Sequence, residues 1–140
     1  MYKSVNLVTF TIVVMLLISG CNVNSELDNL EINFFNEGST YRTGEFHTYE
    51  VALLTGEEEP ISVEDVYLYM NMERMNHPME GTMVETEKGH YQLDLPLAME
   101  GEWYAEVTVK IGDEEKTERF LINGEGEMVM DFMKGYNADN

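Results

Sequence analysis

Residues 103–111 read Trp-Tyr-Ala-Glu-Val-Thr-Val-Lys-Ile, and this stretch decides the fold. Trp103, Ala105, Val107, Val109 and Ile111 form an unbroken apolar file, while Tyr104, Glu106, Thr108 and Lys110 between them are polar or amphipathic. Side chains of an extended chain alternate between faces, so the pattern predicts a strand with one buried face. Gly112-Asp113-Glu114 follows as a turn, and Phe120 and Ile122 lie on the next apolar file. That pair predicts a hairpin.

Working outward, Tyr91, Leu93 and Leu95 alternate with His90, Gln92 and Asp94 until Pro96 stops the strand, because proline has no N–H to give to a ladder. Similar runs separated by turn residues are expected at Leu30–Phe35, Glu45–Thr55, Val63–Met72, Thr82–Thr86, His90–Leu95, Glu102–Ile111 and Glu115–Ile122. No segment keeps a helical period for three turns. About seven strands between residues 30 and 122 is the count of an all-β, immunoglobulin-like antiparallel sandwich. The single cysteine excludes an internal disulfide, so packing around Trp103 has to stabilise it. Residues 21–29 read as a flexible tether. Residues 123–140, acidic and methionine-containing, read as a mobile tail.

The 140 residues suit one domain, and their balance of 8 Lys+Arg against 27 Asp+Glu gives −19. Nucleic acids and anionic lipid surfaces are held by clustered cations, so neither is expected as a partner. Any hold on a membrane is then hydrophobic or covalent. After Lys3 an apolar run from Leu7 to Ile18 is too short to span a bilayer comfortably and reads as a signal peptide over residues 1–20. It closes in Ile18-Ser19-Gly20-Cys21, which resembles a bacterial lipobox. The resemblance implies cleavage before Cys21, a diacylglyceryl group on its sulfur, and a protein anchored on the outer side of the cell membrane. An ordinary secretory signal with a chance cysteine is the alternative.

The unusual chemistry lies in residues 70–83, Met-Asn-Met-Glu-Arg-Met-Asn-His-Pro-Met-Glu-Gly-Thr-Met. Met70 and Met72 continue the alternating file of Val66 and Leu68 and read as core. Met75, His77 and Met79 fall past the strand, where an apolar file serves no packing purpose. Pro78 forbids an ordinary helix there, and in an extended segment residues i, i+2 and i+4 face one way. Two thioethers and an imidazole then converge, with Met72 or Met83 approaching from neighbouring strands. Thioether sulfur beside imidazole favours copper, and Cu(I) above all. Methionine also coordinates while neutral and cannot be lost to disulfide formation. The competing reading is a small satellite cluster of methionines with His77 in solvent.

Met75-Asn76-His77-Pro78-Met79, then Gly89-His90-Tyr91, then Met99-Glu100-Gly101-Glu102-Trp103, together resemble the YtkA-like domain, a relative of FixH-type proteins. The resemblance spans roughly residues 28 to 122. It implies an immunoglobulin-like lipoprotein of Gram-positive bacteria linked to copper handling near cytochrome oxidase assembly, with a membrane protein to receive the metal. It places Met75, His77 and Met79 in the family's Met/His loop. His47, His90, and the tail's Met128, Met130, Asp131 and Met133 are weaker ligand candidates. The acidic run Glu57-Glu58-Glu59-Pro60 lacks the spaced oxygens of a calcium loop. No nucleophile elbow, phosphate loop or H-E-x-x-H motif occurs, so a non-enzyme is expected. The rival to copper is a metal-free module that binds another envelope protein.

Overall fold

The computed structural model describes residues 25–140; the signal segment and Cys21 lie outside the described residues. Ten strands follow in chain order: β1 Glu31–Phe34, β2 Thr40–Arg42, β3 His47–Leu54, β4 Asp65–Asn71, β5 Met79–Thr82, β6 Val84–Glu87, β7 His90–Leu95, β8 Gly101–Ile111, β9 Glu114–Glu125 and β10 Tyr136–Asn137. One sheet has the order β1-β3-β7-β6 and the other β10-β5-β4-β8-β9-β2. Pairing is antiparallel except at the two ends of the larger sheet, where β10 runs parallel to β5 and β2 parallel to β9. No helix among the described residues is long and apolar enough to cross a membrane.

The β8 file is the centre of the core. Trp103, Ala105, Val107 and Val109 are fully buried, and register sets them beside Ile122 of β9 and Met70, Leu68 and Val66 of β4. From the smaller sheet Tyr49, Val51 and Leu53 of β3 and Tyr91 and Leu95 of β7 close the sandwich. Burial pushes the Tyr49 phenol well above its ordinary pKa, so it stays neutral. Lys116 and Glu118 stand opposite Val109 and Val107, on the inward side of β9 where no further strand covers it. They pair at 3.2 Å, and Lys116 Nζ also donates to the Leu30 carbonyl. Inward charges on an open edge discourage pairing with another chain.

Three expectations change. The strand expected at Thr82–Thr86 is two strands, β5 and β6, which belong to different sheets. The chain crosses at Met83, whose amide donates to the Val66 carbonyl at 2.8 Å and whose side chain is buried between the layers. Residues 25–29 are not a free tether, because Leu27 and Leu30 enter the core and the Ser25 hydroxyl bonds to the Glu114 carboxylate. The tail is not mobile either. Val129 N donates to Ala98 O, Tyr136 N to Pro78 O and Ala138 N to Glu80 O, each at 2.8 Å. Phe132 and Tyr136 also meet Phe46 edge-on, at 5.9 and 5.3 Å. Backbone pairing and aromatic contact together hold this segment against β5.

The indole of Trp103 has one polar atom to satisfy, and Nε1 donates to the Met99 carbonyl at 3.1 Å. Gly124 of β9 passes so close that a Cβ there would stand 2.7 Å from that same oxygen. Gly124→Ala gains ~0.4–1 kcal/mol from the unfolded chain, but overpacking costs about 1–3 kcal/mol. The steric term wins. A thermal melt should therefore fall by several degrees, and a melting temperature equal to wild type would show that the Met99 corner yields freely.

Candidate functional site: a methionine-lined groove

Beyond β4 the chain leaves the sheet, and one side chain organises the excursion. Asn71, buried at the strand's end, accepts from Met72 N at 2.9 Å and from His77 N at 2.8 Å through the same Oδ1. Its Nδ2 donates to Asn76 Oδ1 and to the Tyr69 hydroxyl, both at 2.9 Å. Both ends of the loop are thus tied to one amide. On the outer face Arg119 donates to Glu73 and to Glu106, each at 2.5 Å, and lies 4.1 Å from the centre of the Tyr104 ring. Bonding to Glu106 holds the guanidinium above its ordinary pKa. Asn71 carried no sequence signal beyond its place at the end of an apolar file.

The three residues expected to converge sit in different surroundings. The backbone bends at residues 73–75, and past the bend His77 and Met79 are both buried. Met75 is 49% exposed. Met79, by contrast, pairs with Met70 in register and is fully buried in the core, as Met83 is at the crossing between sheets. His77 is buried against the tail, and its Nδ1 lies 2.7 Å from the Met133 carbonyl. A carbonyl only accepts, so Nδ1 is the ring nitrogen that donates to it. Nε2 and the Tyr49 hydroxyl are the buried side-chain polar atoms without a partner among the described residues.

A different set comes together. Met72, Met75 and Met99 line one groove of about 340 Å³, with Glu73, Glu100 and Glu102 at its edge and Arg74 beside them. Its walls are chiefly the apolar parts of these side chains. Met72 reaches it because Gly101 opens β8 without a side chain; a Cβ there, at φ +127°, would come within 2.8 Å of the Met72 methyl. Met99 is held by the Trp103 bond described above. Met72 and Met75 are among the residues expected as ligands from the sequence; Met99 is not, and its approach to them is a tertiary event. Among the described residues no three of His, Cys, Asp and Glu cluster as a metal set.

The other candidates are elsewhere. His47 Nε2 bonds the Arg42 carbonyl at 2.8 Å, and His90 stacks on Phe35 at 6.2 Å. Met128, Met130 and Asp131 line a separate hollow with Arg42, Thr43 and Glu45.

No family model matches the sequence, and no curated protein matches it. Solved structures do match in shape. The endo-beta-1,4-mannanase from Thermotoga petrophila superposes with a TM-score of 0.51 at 11% identity, over 81% of this chain and 22% of that one. Salmonella alpha-2-macroglobulin reacted with methylamine gives 0.51 at 23%, over 71% of this chain and 6% of that one. The Lin-41 filamin domain gives 0.50 at 19%, over 69% of this chain and 92% of that one. The chain thus spans a minor part of the mannanase and the macroglobulin but nearly the whole filamin domain. At such identities the likeness concerns fold: the chain is an immunoglobulin-like β-sandwich.

If Asn71 organises the loop, Asn71→Ala leaves two amide N–H groups without their acceptor, at a cost of about 1–3 kcal/mol. Chemical denaturation should register that loss, and hydrogen exchange at the Met72 and His77 amides should accelerate. Unchanged exchange at both amides would mean that the loop is held by something else.

Proposed function

We propose that the protein is a lipid-anchored, outward-facing copper-binding protein that captures or delivers Cu(I) and catalyses no reaction. The observation that supports this most is the groove of Met72, Met75 and Met99. A half-exposed Met75 stabilises no core, and three thioethers at one surface hollow are a donor set for a soft cation. Glu100 and Glu102 beside them favour the approach of a cation, while Glu73 is already paired with Arg119. Thioethers remain neutral, so binding takes up and releases no proton at sulfur, and such weak donors permit quick release. His77, Met79 and Met83, expected among the ligands, are assigned other work in this reading: Met79 and Met83 pack the core and His77 locks the tail.

Cys21 supplies the anchor, through a diacylglyceryl group on its sulfur. The resemblance to YtkA-like and FixH-type proteins supports a role near cytochrome oxidase assembly, with a membrane protein receiving the metal. A second reading rests on β6: all four of its residues are exposed and it closes one side of the smaller sheet. An open strand edge suits a metal-free module that binds an envelope protein by strand addition.

The test is anaerobic Cu(I) titration of residues 22–140 against a competing chelator. One equivalent should be taken up. Met75→Leu and Met99→Leu keep side-chain volume, so the fold should survive while affinity falls about tenfold or more. Met79→Leu, inside the core, should bind as wild type does. No uptake by the wild-type chain would remove copper and leave the second reading.

A further inference from the structure

We infer that the methionine groove stands at the end of the sandwich far from the membrane, so that copper is exchanged with a protein domain reached from the aqueous side. The inference rests on the lipid anchor and copper site proposed above and adds where the partner is and what it looks like.

Strand β8 fixes the geometry. The groove flanks its first residues, through Glu100, Glu102 and the Met72 contact with Gly101. The other end of β8, Ile111, turns through Gly112 and Asp113 into Glu114, and Glu114 is the partner of Ser25. Ser25 also shares a hollow with Gly56 and Ile61, beyond the end of β3. The described chain therefore enters at one end of the sandwich and carries its methionines at the other. At ~3.3 Å per residue, the eleven residues of β8 separate the two by roughly 30 Å. Between Cys21 and Ser25 the covalent chain reaches at most roughly 14 Å, so the lipid lies close to the entering end.

Charge reinforces this posture. The chain carries −19 and is repelled by anionic headgroups, so nothing electrostatic pulls the groove down to the bilayer. A partner that accepts the ion first meets Glu100 and Glu102, the acids at the groove without an ion-pair partner among the described residues. Its docking surface is accordingly basic, surrounds soft sulfur or imidazole donors, and stands about 30 Å or more from the bilayer rather than within it.

The lipidated chain, bound to vesicles that carry a headgroup-level energy acceptor, tests the arrangement. Cys21 is the chain's one cysteine and its sulfur bears the lipid, so a cysteine introduced elsewhere is the sole free thiol for a fluorescent donor. Asp113→Cys reports the entering end, and Asn123→Cys, opposite Glu102 in the ladder, reports the groove end. Transfer should be strong from position 113 and weak from position 123, with distances differing by roughly 30 Å. The Cu(I)-loaded protein should also yield its metal to a water-soluble chelator as fast on vesicles as in solution. Equal transfer from the two positions, or the reverse order, overturns the inference while the copper reading stands. A mature chain whose mass shows no lipid overturns it together with the anchor. Failure of Cu(I) uptake with the expected transfer order removes the copper partner and leaves only the orientation.

Discussion

A fully buried indole must find an acceptor for its N–H, and in this protein the acceptor is the Met99 carbonyl. Much follows from that single bond. Trp103 sits in the central strand of the core, so the bond ties the segment before β8 to the most rigid part of the molecule. Gly124 passes against the same carbonyl with no room for a side chain, which locks the β8–β9 ladder over the Met99 corner. The surface groove is therefore built on the core, one bond away from it, and not on a free loop.

The methionines divide by what surrounds them. Met70, Met79 and Met83 are core residues, where a flexible, polarizable side chain fills gaps between two sheets. Met72 packs partly buried against the core at the start of the loop that Asn71 ties, whereas Met75 at its bend is half exposed. Proximity in sequence therefore says little about shared purpose. Met75 and Met79 are four residues apart and lie in different environments, whereas Met99 joins Met72 and Met75 from the far side of β7 in the chain.

Electrostatics play a supporting part. Only 8 cationic side chains serve 27 acids, and one of them, Arg119, ties the loop through Glu73 to the sheet through Glu106 while lying over Tyr104. Such an exposed ion pair contributes little by itself, but a network with aromatic support restrains the groove's outer wall. The acids left without partners keep the surface solvated and turn cations towards it.

The sequence alone determined the principal strands and the sandwich class, because period two is a local property: Trp103 to Ile111 has to be a strand with one buried face, and Tyr91 to Leu95 likewise. It also set the hairpin after Ile111, the lack of a disulfide and the density of soft donors around Met75. Strands β2 and β10 were illegible, since three and two residues are too short to show a period and exist only through their partners. The docked tail was illegible for the same reason: its hydrogen bonds go to residues far away in the chain, such as Pro78 and Glu80, each 58 positions from its partner. Alternation predicts an extended segment over residues 75–79 but not the bend at residues 73–75, where Asn71 draws the two ends of the loop together and Met75 is left half exposed. Which methionines face one another was thus decided by a side-chain amide and a buried indole. Both act through space, and neither leaves a mark in the spacing of the residues.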